Sequence, residues 1–180
     1  MSEKLVTIRR PLALETHSGL LIAAKAIEYY PEQVKLRSIG KAGLTLLERG
    51  QYQQMLDIPG SKLASVAPDA VAESINAVIP KMPTEGSTFT PIVSRVDFIG
   101  ERNIIQVALF LNREQLLDES LHIRSLLDRM NSRQSTGRSF IPHVSIASVG
   151  QVFADNAMLE QFKSLAPETI DLLPAQAISL

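Results

Sequence analysis

Two segments one hundred positions apart carry the residues best suited to chemistry: Gly43-Leu-Thr-Leu-Leu-Glu-Arg-Gly50 and His143-Val-Ser-Ile-Ala-Ser-Val-Gly150. Each alternates small or polar residues with aliphatic ones, places a hydroxyl third and closes on glycine. In a β-strand, residues two apart share a face. His143 and Ser145 then point one way, and Val144 and Ile146 the other. An imidazole and a hydroxyl aimed at one place can bind a phosphate and move a proton on it. Gly43 and Thr45 repeat the arrangement with the imidazole missing.

Other chemistries find little support. The chain has no Cys and three scattered His, which excludes a disulfide framework and leaves no zinc site of the usual spacing. It contains no Gly-x-Ser-x-Gly elbow, Walker A loop, Gly-x-Gly-x-x-Gly or His-Glu-x-x-His. His143 and Ser145 would stand ~6.5–7 Å apart at their Cα atoms, by the strand rise, which is long for a direct nucleophile–base pair.

The elements that must position these residues follow from alternation and breakers. Residues 4–9 read as a first strand, with Leu5, Thr7 and Arg9 on one face and Val6 and Ile8 on the other, and Pro11 ends it. Thr16 can cap a helix over residues 17–30, which Pro31 stops. Residues 34–37 form a short strand or loop, and residues 42–47 form a strand. Residues 51–61 are a loop or a ragged short helix with a turn at Pro59-Gly60. Pro68 suits the first turn of a helix whose stripe is Val71, Ile75, Val78 and Ile79. Residues 91–99 and 103–111 are the strands of a hairpin, joined at Gly100.

An amphipathic helix over residues 113–130 follows, then a polar stretch with Arg133 and Arg138, then the His143 strand. A helix at residues 156–165 and a last strand, held to a sheet edge by Pro174, complete the chain. The order of elements around the two motifs suggests an α/β (α+β) fold with two pseudo-symmetric lobes. Each lobe is a mainly antiparallel sheet with helices packed outside, and the two motif faces meet in a central cleft. Residues 1–180 would form a single two-lobed domain.

Phe140-Ile-Pro-His-Val-Ser-Ile-Ala147, preceded by a hairpin and a helix, resembles the 2H phosphoesterase superfamily, which contains 2′-5′ RNA ligase-like proteins and cyclic phosphodiesterases. The hallmark of that group is a pair of His-x-Thr/Ser-x motifs on central strands of a two-lobed α/β fold. The resemblance implies a cleft in which Thr45 and Ser145 hydrogen-bond phosphate oxygens and His143 sits beside the scissile bond as general acid or base. It implies metal-independent, cofactor-free hydrolysis or ligation at a 2′,3′-cyclic phosphate or a 2′-5′ linkage.

The first motif departs from the pattern, because Gly43 stands where the group has histidine. One imidazole cannot supply both protonation states in one transition state, and losing such a partner typically costs ~10²–10⁴ in rate. A weak enzyme, a changed reaction and a catalytically silent binder of a nucleotide or RNA end all fit. Arg138 and Arg133 precede the second motif and can clamp phosphate. Lys41 lies two residues before Gly43 and would share its face if that strand begins early.

Ordinary roles stand beside these. His143 could be a half-buried histidine bonded to a backbone group, and Thr45 and Ser145 could be plain strand residues. His17, near a helix start, reads as a surface residue, and His122 falls on the polar side of its helix. A third reading is an interaction protein that has kept the fold alone. Formal net charge is −1, so a broad platform for long duplex nucleic acid is not expected, while a small nucleotide or a single RNA end is compatible. No run approaches the ~20 apolar residues of a membrane span. No apolar run follows the first basic residue, as a signal peptide would require, and a cytoplasmic location is the expectation.

Overall fold

The structure, a computed structural model, describes residues 4–25, 34–36, 42–78, 89–100, 104–117, 121–123, 125 and 141–180. The first strand, β1 (Val6–Pro11), buries Val6 and Ile8 fully; Thr7 between them is buried as well, its hydroxyl donating to Leu47 O at 2.8 Å, and Arg9 is half-exposed. The chain continues through α1 (Leu14–Lys25), β2 (Val34–Leu36), β3 (Gly43–Leu47), α2 (Arg49–Leu56) and α3 (Pro68–Val78). The hairpin strands β4 (Val93–Ile99) and β5 (Ile104–Leu111) follow, then β6 (His143–Gly150), α4 (Asn156–Leu165) and β7 (Gln176–Ser179). Gly100 leaves β4 with φ 137°, a left-handed conformation that a residue without a Cβ adopts freely. Residues 114–117 and 121–123 are helical and bury Leu116 and Ile123. No helix among the described residues is long and apolar enough to cross a membrane.

The seven strands form one mainly antiparallel sheet in the order β4-β5-β6-β3-β1-β7, with β2 also beside β6. As expected, the helices pack outside it: α3 on β7 and β1, α4 on β4, and α1 on α4. One half of the sheet is β7, β1 and β3, and the other is β6, β5 and β4. They join through the pair Leu44–Val144. A second connection runs through the C-terminal segment. Leu172 bridges both Leu12, beyond the end of β1, and Phe89, ahead of β4, while Thr169 bridges Ile92.

Three register shifts break the simple alternation, one of them between Val93 and Arg95 on β4, which leaves Ser94 as an extra residue. Ile8 pairs with Leu47 and Arg9 with Thr45, which leaves Leu46 as an extra residue on β3. Val107 pairs with Ala147 and Ala108 with Ser145, which leaves Ile146 extra on β6. The result is four consecutive buried residues, Val144–Ala147, where strict alternation expected every second one.

Local expectations change at Thr16, His17 and His122, and the open alternative over residues 51–61 is resolved. Helix α1 begins at Leu14, with His17 N–H already donating to Ala13 O at 2.9 Å, so Thr16 lies inside it. The Thr16 hydroxyl instead accepts from Asp171 N–H at 3.2 Å and ties α1 to the C-terminal segment. The earlier start also puts His17 one turn ahead of Leu20 on the helix's inner face, so it is buried rather than at the surface. Residues 49–56 are a true helix, because the Gln51 side chain reaches back to accept from Glu48 N–H at 3.0 Å. His122 is half-buried beside Ile123.

Candidate functional site

Leu44 and Val144 are both fully buried, so the residues flanking them on each strand present the opposite face of the sheet. Antiparallel register about this pair sets Thr45 beside His143 and Gly43 beside Ser145. The first position of each motif therefore stands opposite the third position of the other, with a local two-fold through the pair.

Neighbouring strands extend this into two rows. The first reads Arg9, Thr45, His143, Phe110, Arg95, and the second reads Pro11, Gly43, Ser145, Ala108, Asp97. Directly opposed residues of an antiparallel pair have Cβ atoms about 4.5–5.5 Å apart, so Thr45, His143 and Ser145 are within reach of one small group.

His143 is half-exposed and its ring is held on two sides. Nδ1 lies 2.9 Å from Ile141 O. A carbonyl only accepts, so this bond assigns the proton to Nδ1 and leaves Nε2 of the neutral ring as an acceptor. Pro142 keeps Ile141 extended, and the Pro142 carbonyl accepts from Leu111 N–H at 3.0 Å, which anchors the residue next to the carbonyl that holds the imidazole. The Phe110 ring is 5.7 Å from the imidazole at an interplanar angle of 37°. The Arg95 guanidinium carbon stands 4.2 Å from the Phe110 ring centroid, a cation–π contact. The backbone-bonded histidine foreseen as an ordinary role is thus present, and it leaves the second nitrogen available.

The Gly43 corner is built differently. A Cβ there would stand 2.6 Å from Arg10 O, 3.0 Å from Pro11 Cα and 3.1 Å from Arg9 Nη2. Strand β1 lies too close for a side chain at this position to fit without a backbone shift. The corner that the two-fold pairs with His143 is occupied instead by a guanidinium from the neighbouring strand.

The fold thus brings together His143, Ser145 and Thr45, while Lys41, Arg133 and Arg138 lie outside the described residues. Ser145 is buried at 7% exposure, so only a small group reaching into the row can meet its hydroxyl. Sequence reasoning missed Arg9, Phe110 and Arg95. The face of Arg9 was legible from the alternation of β1, but its neighbour across the strands was not.

No protein-family model matches the sequence, and a search of the curated proteins finds no match. Among solved structures the chain is similar to Usb1 of Kluyveromyces marxianus, with 13% identity and a TM-score of 0.50, over 99% of this chain and 98% of that one. A structure of the same protein with uridine monophosphate aligns at 12% identity and a TM-score of 0.45, over 98% and 96% of the two chains. At 13% identity the likeness is one of fold, and it extends over nearly the full length of both chains.

Proposed function

We propose that residues 1–180 form one two-lobed domain whose face around Leu44 and Val144 binds the phosphodiester or phosphate end of a small nucleotide or RNA. The observation that carries this reading is the Leu44–Val144 pair itself, because its register gathers two hydroxyls and one imidazole on one face. Thr45 and Ser145 donate to non-bridging phosphate oxygens. His143 Nε2 accepts a proton from the attacking oxygen or, once protonated, gives one to the leaving oxygen. Arginine and imidazole supply the positive charge and the proton, so the scheme needs no metal ion or other cofactor. The balanced net charge of −1 suits a small ligand better than a long duplex.

With Gly43 opposite Ser145, hydrolysis of a 2′,3′-cyclic phosphate or a 2′-5′ linkage runs through one proton carrier. Turnover then falls ~10²–10⁴ below that of a site with both imidazoles. The occupied Gly43 corner favours a second reading, a binder of nucleotide or RNA ends without turnover.

A phosphorus NMR time course with a 2′,3′-cyclic nucleotide and a 2′-5′ dinucleotide separates the two. New phosphomonoester signal that His143→Ala removes is the result expected of a one-imidazole enzyme. Shifted ligand signals without product select the binder. Unchanged spectra for both ligands would overturn the phosphate site.

A further inference from the structure

We infer that Arg9 tunes this site to a terminal phosphomonoester in preference to a diester, an inference that rests on the proposed phosphate-binding face. Arg9 pairs with Thr45 in the first row, and its Nη2 reaches across to 3.1 Å from the point where a Gly43 side chain would begin. A single guanidinium thus flanks both residues of the first motif.

Its chemistry differs from that of the imidazole it stands in for under the local two-fold. A guanidinium stays charged at any working pH and does not serve as a proton donor in catalysis. It offers instead a planar fork of N–H donors that matches two phosphate oxygens. A corner built this way holds charge in place and moves no proton.

The ligand that gains most from such a corner is the one with more charge and more free oxygens. A phosphodiester carries one negative charge, whereas a phosphomonoester carries about −1.5 to −2 at neutral pH and three acceptor oxygens. Thr45, Ser145 and His143 can meet the oxygens common to both. Only the monoester leaves a further charged oxygen for Arg9.

The carboxylate sharing the second row does not offset this. Asp97 lies two strands beyond Ser145, about 10 Å away by strand spacing, and its Oδ1 accepts from Phe98 N–H at 2.8 Å. Arg95, at the far end of the first row, is stacked on Phe110. Along these two rows the charge beside the motif hydroxyls is that of Arg9.

Isothermal titration calorimetry tests this with three dinucleotides that differ only in their end: a 3′-phosphate, a 2′,3′-cyclic phosphate and a free hydroxyl. The 3′-phosphate should bind roughly 10-fold or more tightly than the cyclic end, as one extra charge-assisted contact requires. Arg9→Gln should bring the two within about threefold by weakening the 3′-phosphate alone, and Arg9→Lys, which keeps the charge without the fork, should fall between. Equal wild-type affinities, or a preference that survives Arg9→Gln, would overturn the assignment while leaving the phosphate face intact. Should Arg9→Gln melt below the assay temperature, Arg9→Lys decides, and an unchanged preference there overturns it. No binding of any phosphate end, or binding indifferent to Thr45→Val and Ser145→Ala, sinks both the inference and the face it rests on.

Discussion

The half of the sheet built from β1, β3 and β7 and the half built from β4, β5 and β6 carry the same strand motif and surround it differently. Beside β6 the neighbouring strand sets Phe110 against His143 and Ala108 against Ser145, so the imidazole has room and an aromatic wall. Beside β3 the neighbour sets Pro11 against Gly43, and the Arg10 carbonyl comes within 2.6 Å of where a side chain would start. The glycine at position 43 thus goes with its surroundings as well as its strand: the adjoining strand lies close at that corner, and the Arg9 guanidinium reaches it.

The largest effect that separates the halves belongs to His143→Ala. Any phosphodiester turnover should drop by at least ~10² and reach background, read by phosphorus NMR. The mirror experiment, Gly43→His, should fail to raise turnover. It should also cost about 1–3 kcal/mol of stability by denaturant unfolding, because the new Cβ meets backbone rather than a flexible side chain. A well-folded Gly43→His protein with raised turnover would break the comparison.

Asn76→Ala tests what holds the first half at its outer edge. Asn76 Nδ2 donates to Ala177 O at 2.9 Å and its Oδ1 accepts from Ala177 N–H at 2.7 Å, closing the free side of β7. Losing both bonds should cost about 1–3 kcal/mol in unfolding. His143-dependent chemistry in the other half should stay unchanged.

Thr45→Val and Ser145→Ala compare the two hydroxyls directly. Each should weaken a phosphate ligand by roughly 5–10-fold in calorimetry, as one lost hydrogen bond of about 1 kcal/mol implies. Equal effects would support the local two-fold, and an effect of Ser145 alone would assign binding to the β6 half.

The smallest effect is at Asp69 on α3. Hydrogen bonds from Ser179 and then Lys4, with the Lys4 charge, hold its carboxyl below the ordinary value of 3.8. A depressed acid adds stability above its unfolded value, and that stability is lost as pH falls through the folded one. Asp69→Asn should therefore melt slightly below the wild type at neutral pH, with the gap closing below about pH 4.

What the sequence made legible was local. Alternation placed Val6 and Ile8 inward, Thr45 and His143 outward, and Pro174 ahead of an edge strand, because side-chain period and proline chemistry are properties of one strand. The order and spacing of the elements around the two motifs led to the two-part, mainly antiparallel arrangement with helices outside. The bulge at Ile146 was hidden, since an extra residue shows only against its partner strand. Arg9 was hidden for the same reason, since its role depends on a register between residues 34 positions from Gly43 and on a close approach that no single strand encodes. His17 was misplaced because the capping role given to Thr16 put the helix start about one turn too late.

The most direct test of the central claim is a crystal structure of the protein with a 3′-phosphate-ended dinucleotide bound. The phosphorus should be seated over the Leu44–Val144 pair. Its oxygens should meet the Thr45 and Ser145 hydroxyls, His143 Nε2 and the Arg9 guanidinium, with Nδ1 still bonded to Ile141 O. A phosphate bound elsewhere, or one seated there with Arg9 turned away and the Gly43 corner filled by another group, would contradict it.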